Sequence, residues 1–201
     1  MANNLIIAMW SGPRNLSTAL MRSIGNRNDV TKILDEPFYA SYLVNANKNH
    51  PMRDEVIASQ QINIDDVKIL CQKHDIGITY QKHMTQHILD LDFKWMNKLK
   101  NCFLIRNPKM VVKSFMKSWE EGNYEDIGFD QQYQIYNHII NNVDDSPPIL
   151  DATKIRNNPK EILTKFCEAI NIPWDDKMLK WESGVKEYDG VWATHWYPSV
   201  L

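Results

Sequence analysis

Short apolar runs alternate with longer amphipathic stretches along this chain, and this alternation constrains its fold more than any other feature. The continuous apolar run from Leu5 to Trp10 predicts a buried strand. Runs at Thr31 to Leu34, Ile78 to Gln81, Cys102 to Ile105 and Pro148 to Leu150 predict four more strands. Because strands that alternate with helices form parallel sheets covered on both faces, we predict a three-layer α/β/α fold around a central parallel sheet of about five strands.

Two of the intervening stretches carry clear helix signals. From Asn158 to Asn171 the apolar residues share one helical face, with Pro159 in the first turn and Glu161 as the acidic residue of a capping box. Asn107-Pro108 opens another helix in the same way. We expect its apolar side to carry Val111, Val112, Phe115 and Trp119, and its opposite side Lys109, Lys113 and Lys117.

Length, charge and cysteine content limit the function classes. The 201 residues suit one ordinary domain, which we place at residues 1–201, and the net charge of −2 argues against a general nucleic-acid binder. No stretch approaches the length of a membrane span. The three widely spaced cysteines are typical of small core residues in a reduced protein, so we expect a cytoplasmic location. No metal-binding motif is present, and the oligomeric state is not indicated.

The segment Ser11 to Thr18 follows the first predicted strand and opens a helix. Free backbone N–H groups at a helix start, together with the helix dipole, bind anions. Arg14 adds a planar, permanently charged set of donors, and Ser17 and Thr18 add hydroxyls. The second glycine and the lysine of an ATP-type phosphate loop are absent. By itself the segment therefore predicts either a phosphate site unlike that of a kinase or only a capped helix with a surface arginine.

A second anion site is predicted after the fourth strand. Arg106-Asn107-Pro108 stands where that strand gives way to a helix, and Ser114 follows Arg106 by eight residues. The same helix-terminus chemistry, joined to a guanidinium, would favour a second phosphate here.

Together the two segments resemble the nucleotide-binding signatures of sulfotransferases that use 3′-phosphoadenosine 5′-phosphosulfate (PAPS). Residues 13–20 fit P-[KR]-x-x-[ST]-[ST]-x-L, and Arg106 to Ser114 fit R-[ND]-P with a serine eight residues after the arginine. The first segment is most similar to the compact bacterial branch, S-G-P-R-x-x-S-T. The resemblance implies a P-loop-type nucleotide-binding fold, PAPS as donor, adenosine 3′,5′-bisphosphate (PAP) as product and no metal. It implies sulfuryl transfer to a hydroxyl or amine of a small-molecule or carbohydrate acceptor.

By this resemblance, the first segment would hold the 5′-phosphosulfate, while Arg106 and Ser114 would hold the 3′-phosphate that distinguishes PAPS from ATP. The full set of expected nucleotide-binding residues is Gly12, Pro13, Arg14, Asn15, Ser17, Thr18, Arg106 and Ser114.

Catalytic candidates follow the second and third strands. Glu36 is a candidate general base, and Arg14 would also stabilise the leaving phosphate. The resemblance implies that Lys82 stabilises charge on the bridging oxygen and that His83 is a candidate base. Successive strand residues point to opposite faces, so Lys82 and His83 cannot both face the site, and Lys82 is favoured. His87 is a further candidate base, whereas His50 and His74 are expected at the surface.

The C-terminal stretch Trp192 to Tyr197 resembles the W-x-x-H-W-Y stretch of the compact bacterial branch. Its aromatic rings would either stack on the adenine or acceptor, or pack a tail onto the core. The basic glycine-rich loop found near the end of many family members is absent. Residues 37–73 are expected to be helical and to contribute to the acceptor pocket.

Three other functions fit parts of the sequence. A non-catalytic nucleotide-binding protein would keep the loops without the chemistry. A kinase of a small metabolite would need the lysine that the phosphate loop lacks. An adaptor would use the aromatic tail to bind another protein.

Overall fold

Residues 4–117, 122–198 and 200 are described by a computed structural model, in which a parallel sheet separates two layers of helices. In the described residues the strand order is β2-β3-β1-β4-β5, and every neighbouring pair is parallel. The strands are β1 (Leu5–Ser11), β2 (Val30–Asp35), β3 (Ile78–Met84), β4 (Lys100–Ile105) and β5 (Ile149–Asp151).

Helices connect the strands and cover both faces of the sheet. In chain order they are α1 (Ser17–Gly25), α2 (Tyr39–Asn45), α3 (Arg53–Ser59), α4 (Ile64–Cys71), α5 (Pro108–Phe115), α6 (Phe129–Asn142), α7 (Ala152–Asn157), α8 (Pro159–Ala169) and α9 (Ala193–Trp196). Short 3₁₀ segments lie at Thr85–His87, Lys94–Lys98, Tyr124–Ile127 and Asp176–Leu179.

The alternation of side chains along β1 divides the core in two. Ile7 and Met9 face a cluster that includes apolar residues of α1, α2 and α8. Ile6, Ala8 and Trp10 face the opposite cluster, which includes residues of α4 and α6. A strand buried on both faces reads as a continuous apolar run, which explains why β1 was visible in the sequence.

The predicted fold class is confirmed, and each predicted strand lies within or largely overlaps an observed one. The three cysteines are buried, as expected. The helix that begins at Pro108 ends at Phe115, and Val112, which we expected on its apolar side, is exposed. Trp119 lies outside the described residues.

Ligands of parallel sheets bind at the carboxyl ends of the strands. Here that edge carries the loop after β1, Glu36 after β2, the 3₁₀ turn after β3 and Arg106 after β4. In the described parts of the chain, no helix combines the length and the apolar character that crossing a bilayer requires.

Candidate functional site

A cavity of about 140 Å³ opens at this edge of the sheet. Its wall combines the loop after β1, the ends of β2 and β3, helices α2 and α5, and the C-terminal stretch. Residues that line it include Pro13, Arg14, Ser17, Thr18, Glu36, Tyr39, Tyr42, His50, Lys82, Gln86, His87, Trp196 and Tyr197.

The loop after β1 has the backbone of an anion-binding turn. Arg14 and Leu16 have φ of 64° and 65°, in the left-handed region that non-glycine residues seldom occupy. Alternation of left- and right-handed residues turns successive N–H groups to one side. Leu16 is the N-cap of α1 and makes no side-chain cap bond, so the first N–H groups of this helix are open to an anion.

Two of the expected nucleotide-binding residues instead hold the loop in place. Asn15 is buried, and its Nδ2 donates to the carbonyl of Leu104 at 3.3 Å, which ties the loop to β4. At Gly12, a Cβ would lie 2.6 Å from the carbonyl oxygen of Ile127. Neither residue lines the cavity, so their side-chain requirements come from packing, and only their backbone is available to a ligand.

The two nucleotide signatures meet in space. Arg106 donates from Nη1 to the carbonyl of Arg14 at 2.7 Å, and Arg14 Nε donates to Ser114 Oγ at 3.0 Å. Residues 92 and 100 positions apart in the chain therefore form one polar surface. Its guanidinium groups and hydroxyl are the donors that phosphate binding requires.

A buried charge cluster lies on the other side of the cavity. Lys82 Nζ donates to Asp35 Oδ1 at 3.0 Å, to Glu36 Oε1 and to the Tyr197 hydroxyl at 2.6 Å. Lys82 is 1% exposed and Glu36 is 9% exposed. With both acids ionised, two carboxylates face one ammonium, so the cluster carries one excess negative charge.

The pKa values of the cluster reflect this arrangement. Burial raises the pKa of the Glu36 carboxyl, the neighbouring Lys82 charge opposes that rise, and the Asp35 charge adds to it. Burial alone would lower the pKa of Lys82, but the Asp35 and Glu36 carboxylates raise it. The two carboxylates thus favour the charged form of Lys82, whereas burial favours the protonated form of Glu36.

The structure revises the expected role of Lys82. An ammonium has three N–H donors, and all three already have partners within the protein. Lys82 lines the cavity, yet in this arrangement it acts on Glu36 and Asp35 and offers no spare donor to a bridging oxygen.

The structure corrects the prediction for His83. Because Lys82 faces the cavity, His83 faces the other side of the sheet, where it stacks on Trp10 with ring centroids 4.2 Å apart and bonds Gln81 Oε1 at 2.9 Å. Burial lowers the pKa of His83 to about 3. It does not line the cavity, so its position does not support the predicted role as base.

His87 and His50 occupy the cavity wall. His87 stacks between Tyr39 and Tyr42, each ring centroid 4.7 Å away, and its Nδ1 lies 3.9 Å from Glu36 Oε2. Burial and then the charge of His50 lower the pKa of His87 well below its usual range. His50, expected at the surface, instead bonds the Tyr39 hydroxyl through Nδ1 at 3.0 Å, a contact that no local sequence pattern indicated.

The C-terminal aromatic stretch contributes to both core and cavity. Trp192 is fully buried, and its Nε1 donates to the Tyr197 hydroxyl at 3.0 Å. Trp196 is half-buried and lines the cavity. The expectation that this stretch packs onto the core therefore holds for Trp192, while the contact of Tyr197 with the charge cluster was not foreseen.

Comparison with known sequences gives one family. The profile described as "Sulfotransferase domain" matches residues 5–201. Two Arabidopsis thaliana proteins, named branched-chain-amino-acid aminotransferase-like proteins 1 and 2, are 34% and 32% identical over 203 and 198 residues, covering 100% and 97% of this chain. The chain spans about a third of these relatives, 36% and 35% of their lengths.

Solved structures share the fold at low sequence identity. The sulfotransferase domain from the curacin biosynthetic pathway is 15% identical, with a TM-score of 0.56 over 95% of this chain and 82% of that one. The sulfotransferase domain of the Synechococcus PCC 7002 olefin synthase is 16% identical, with a TM-score of 0.57 over 97% of this chain and 88% of that one. Mouse sulfotransferase SULT7A1, solved with PAP, is 14% identical, with a TM-score of 0.52 over 89% of this chain and 63% of that one. Because the family profile covers almost the whole chain, this protein belongs to the sulfotransferase family.

Proposed function

We propose that this protein transfers a sulfuryl group from PAPS to a hydroxyl or amine of a small-molecule or carbohydrate acceptor, with Glu36 as general base. One observation carries the proposal: Arg14, which contacts both residues of the second nucleotide signature, shares a single cavity with Glu36. Donor-binding and proton-accepting groups thus face the same space.

The donor side has the charges that the nucleotide needs. The start of α1, the Arg14 guanidinium and the hydroxyls of Ser17 and Thr18 would surround the 5′-phosphosulfate. Arg106 and Ser114 would hold the 3′-phosphate beside it. PAPS supplies the sulfuryl group, and these residues would stabilise the charge on the departing phosphate.

The acceptor side supplies the base. As the acceptor oxygen or nitrogen bonds to sulfur, its proton would pass to Glu36 Oε2 while the bond between sulfur and the 5′-phosphate oxygen breaks. Proton uptake reduces the net charge of the Asp35–Glu36–Lys82 cluster from one negative charge to zero. The raised pKa of Glu36 suits a base that works near neutral pH.

The acceptor itself would lie against aromatic rings. Tyr39 and Tyr42 of α2, together with Trp196, form the wall beyond Glu36. This is consistent with the expectation that residues 37–73 help to build the acceptor pocket. These rings would supply apolar surface for the acceptor next to its reacting group, while a few polar atoms of the cavity would orient the acceptor.

Calorimetric titration with PAP tests the donor site, with adenosine 5′-monophosphate and magnesium-ATP as comparison ligands. Losing a charged hydrogen bond costs about 1.5–3 kcal/mol, so Arg106→Ala should raise the Kd for PAP about tenfold to a hundredfold. Lys165→Ala removes an exposed positive charge of α8 and should leave the Kd unchanged. Equal affinity for PAP and the monophosphate would contradict the proposal.

Transfer is tested by PAP release from PAPS in the presence of an acceptor panel. Glu36→Gln should lower kcat by about 10²–10⁴-fold, the usual contribution of a general base, and keep the affinity for PAP. Binding of PAP by a wild type that releases none from PAPS would indicate a non-catalytic nucleotide-binding protein instead.

A further inference from the structure

The hydroxyl of Tyr197 lies at the centre of the buried charge cluster. Its oxygen is 2.6 Å from Lys82 Nζ, 2.9 and 2.8 Å from the two Asp35 oxygens, 3.0 Å from Trp192 Nε1 and 3.4 Å from Glu36 Oε1. Tyr197 is 4% exposed. A residue from the C-terminal stretch therefore touches every charged member of a cluster built by β2 and β3.

Counting protons fixes how this hydroxyl is oriented. A phenol has one proton to donate and two lone pairs to accept. Lys82 and Trp192 can only donate, so they occupy both lone pairs. The single proton must then point at a carboxylate, and Asp35 is nearer than Glu36. Each hydrogen-bonding site of the hydroxyl is thus used once.

This arrangement determines where Glu36 presents its free oxygen. Tyr197 takes the third donor of Lys82, and the other two hold Asp35 Oδ1 and Glu36 Oε1. Glu36 Oε1 therefore already accepts a hydrogen bond from Lys82. Oε2, 3.9 Å from His87 Nδ1, is the oxygen left to accept a proton.

We propose that Tyr197 is a positioning residue for sulfuryl transfer, which holds Lys82 and Asp35 so that Glu36 keeps its orientation and its charge. This inference rests on the proposed function of Glu36 as the base. Tyr197 acts through its neighbours and need not touch either substrate.

The pH dependence of transfer reports on this role. Glu36 is faced by Asp35 on β2, Tyr39 on α2, Lys82 on β3, His87 on the following turn, Tyr197 on the C-terminal stretch, and Arg14 across the cavity. The Tyr197 proton offsets part of the Asp35 charge, and that charge adds to the rise that burial imposes on the pKa of Glu36. Without the hydroxyl, that pKa rises further, so the acidic limb of the kcat profile moves to higher pH.

The decisive variant is Tyr197→Phe, which removes the hydroxyl and keeps the buried ring. We expect kcat to fall about tenfold, while the KM for PAPS and the Kd for PAP stay unchanged. The acidic limb of the kcat profile should move to higher pH by up to about one unit, which corresponds to the loss of one hydrogen bond. Tyr80→Phe is the matched control, because the Tyr80 hydroxyl is buried on the same face of β3 and has no hydrogen-bond partner among the described residues. It should move neither kcat nor the limb.

A second variant keeps the test decisive if Tyr197→Phe does not fold. Trp192→Phe leaves the Tyr197 hydroxyl in place but removes one of its two donors, and it should shift the limb in the same direction by a smaller amount. Circular dichroism and thermal melting establish that each variant is folded. An active wild type and a folded Tyr197→Phe with unchanged kcat and limb would overturn this inference alone. A wild type that binds PAP but transfers no sulfuryl group would overturn the proposed function and this inference with it.

Discussion

At the scale of single residues, the site depends on two side chains carried by unusual backbone. Arg14 and Glu36 have φ of 64° and 48°. Such strained backbone conformations persist only where contacts with surrounding residues hold them in place, and they cluster at functional sites. Glu36 is held by its own N–H, which donates to the Lys82 carbonyl at 2.9 Å, and by its carbonyl, which accepts from Gln60 Nε2 at 3.1 Å. The strain at Glu36 turns its carboxylate from the sheet into the cavity.

His83 should make stability depend on pH without taking part in transfer. Its pKa is about 3 in the folded protein and about 6.5 in an unfolded chain, so below pH 6.5 the unfolded state binds the extra proton. The free energy of unfolding therefore falls as pH falls. For His83→Gln, the loss between pH 6.5 and 5.0 should be smaller than for wild type by about 1–2 kcal/mol in urea titrations.

His195→Gln is the control for this measurement, since His195 is exposed on α9. It should reproduce the wild-type pH dependence. An identical loss of stability in wild type and His83→Gln would mean that His83 can be protonated in the folded protein.

At the scale of elements, the loop after β1 is shaped as much by packing as by its ligand. The short 3₁₀ segment Tyr124–Ile127 lies directly against Gly12, and Asn15 fastens the loop to the end of β4. Thr85 Oγ1 adds a bond to the carbonyl of Gly128 at 2.9 Å, which joins the turn after β3 to the same segment. These contacts hold the loop in one position, which would lower the cost of ordering it if a phosphate binds as proposed.

Gly12→Ala should disturb this loop. The added Cβ would lie 2.6 Å from the Ile127 carbonyl oxygen, and overpacking of this kind typically costs about 1–3 kcal/mol. We expect a lower free energy of unfolding and weaker binding of PAP by calorimetry. Gly184→Ala is the comparison, because its φ of 99° is strained for alanine, but apart from its chain neighbours no described residue has an atom within 4 Å of the new Cβ. It should lower stability and leave the affinity for PAP unchanged, and equal loss of affinity in both variants would contradict this role of Gly12.

At the scale of the whole molecule, the C-terminal part of the chain packs against α1 and the end of β2. Ser23 Oγ of α1 donates to the Met178 carbonyl at 2.6 Å, and the Gly190 N–H donates to Asp35 Oδ2 at 3.2 Å. Arg22 and Asp189 form an ion pair at 2.6 Å, with both side chains fully buried. These contacts link α1, β2 and the residues that lead to Tyr197, so the charge cluster depends on the correct docking of this segment.

Asp189→Ala tests that docking. Removing one partner of a buried ion pair leaves the Arg22 charge uncompensated and typically costs about 3–5 kcal/mol, which urea unfolding will measure. The double variant Arg22→Met/Asp189→Leu removes both charges and should recover most of the loss. A change of less than 1 kcal/mol in the single variant would mean that the pair does not anchor the segment.

Much of the fold was visible in the sequence because the signals are local. Continuous apolar runs predicted the strands, and Pro108 and Pro159 marked the starts of two helices that form there. The rule that strand residues alternate between faces also gave the correct choice of Lys82 over His83 as the residue that faces the cavity.

The sequence by itself determined the parallel sheet, the position of the loop after β1 and the arginine after β4, because each is encoded within a few consecutive residues. Only the tertiary structure decided that Lys82 has no spare donor, that His50 lines the cavity and that Tyr197 completes the charge cluster. Tyr197 and Lys82 are separated by 115 residues, and their contact depends on how the C-terminal segment docks against α1 and β2. Local patterns carry no information about such docking, since it is set by packing and charge pairing between distant elements.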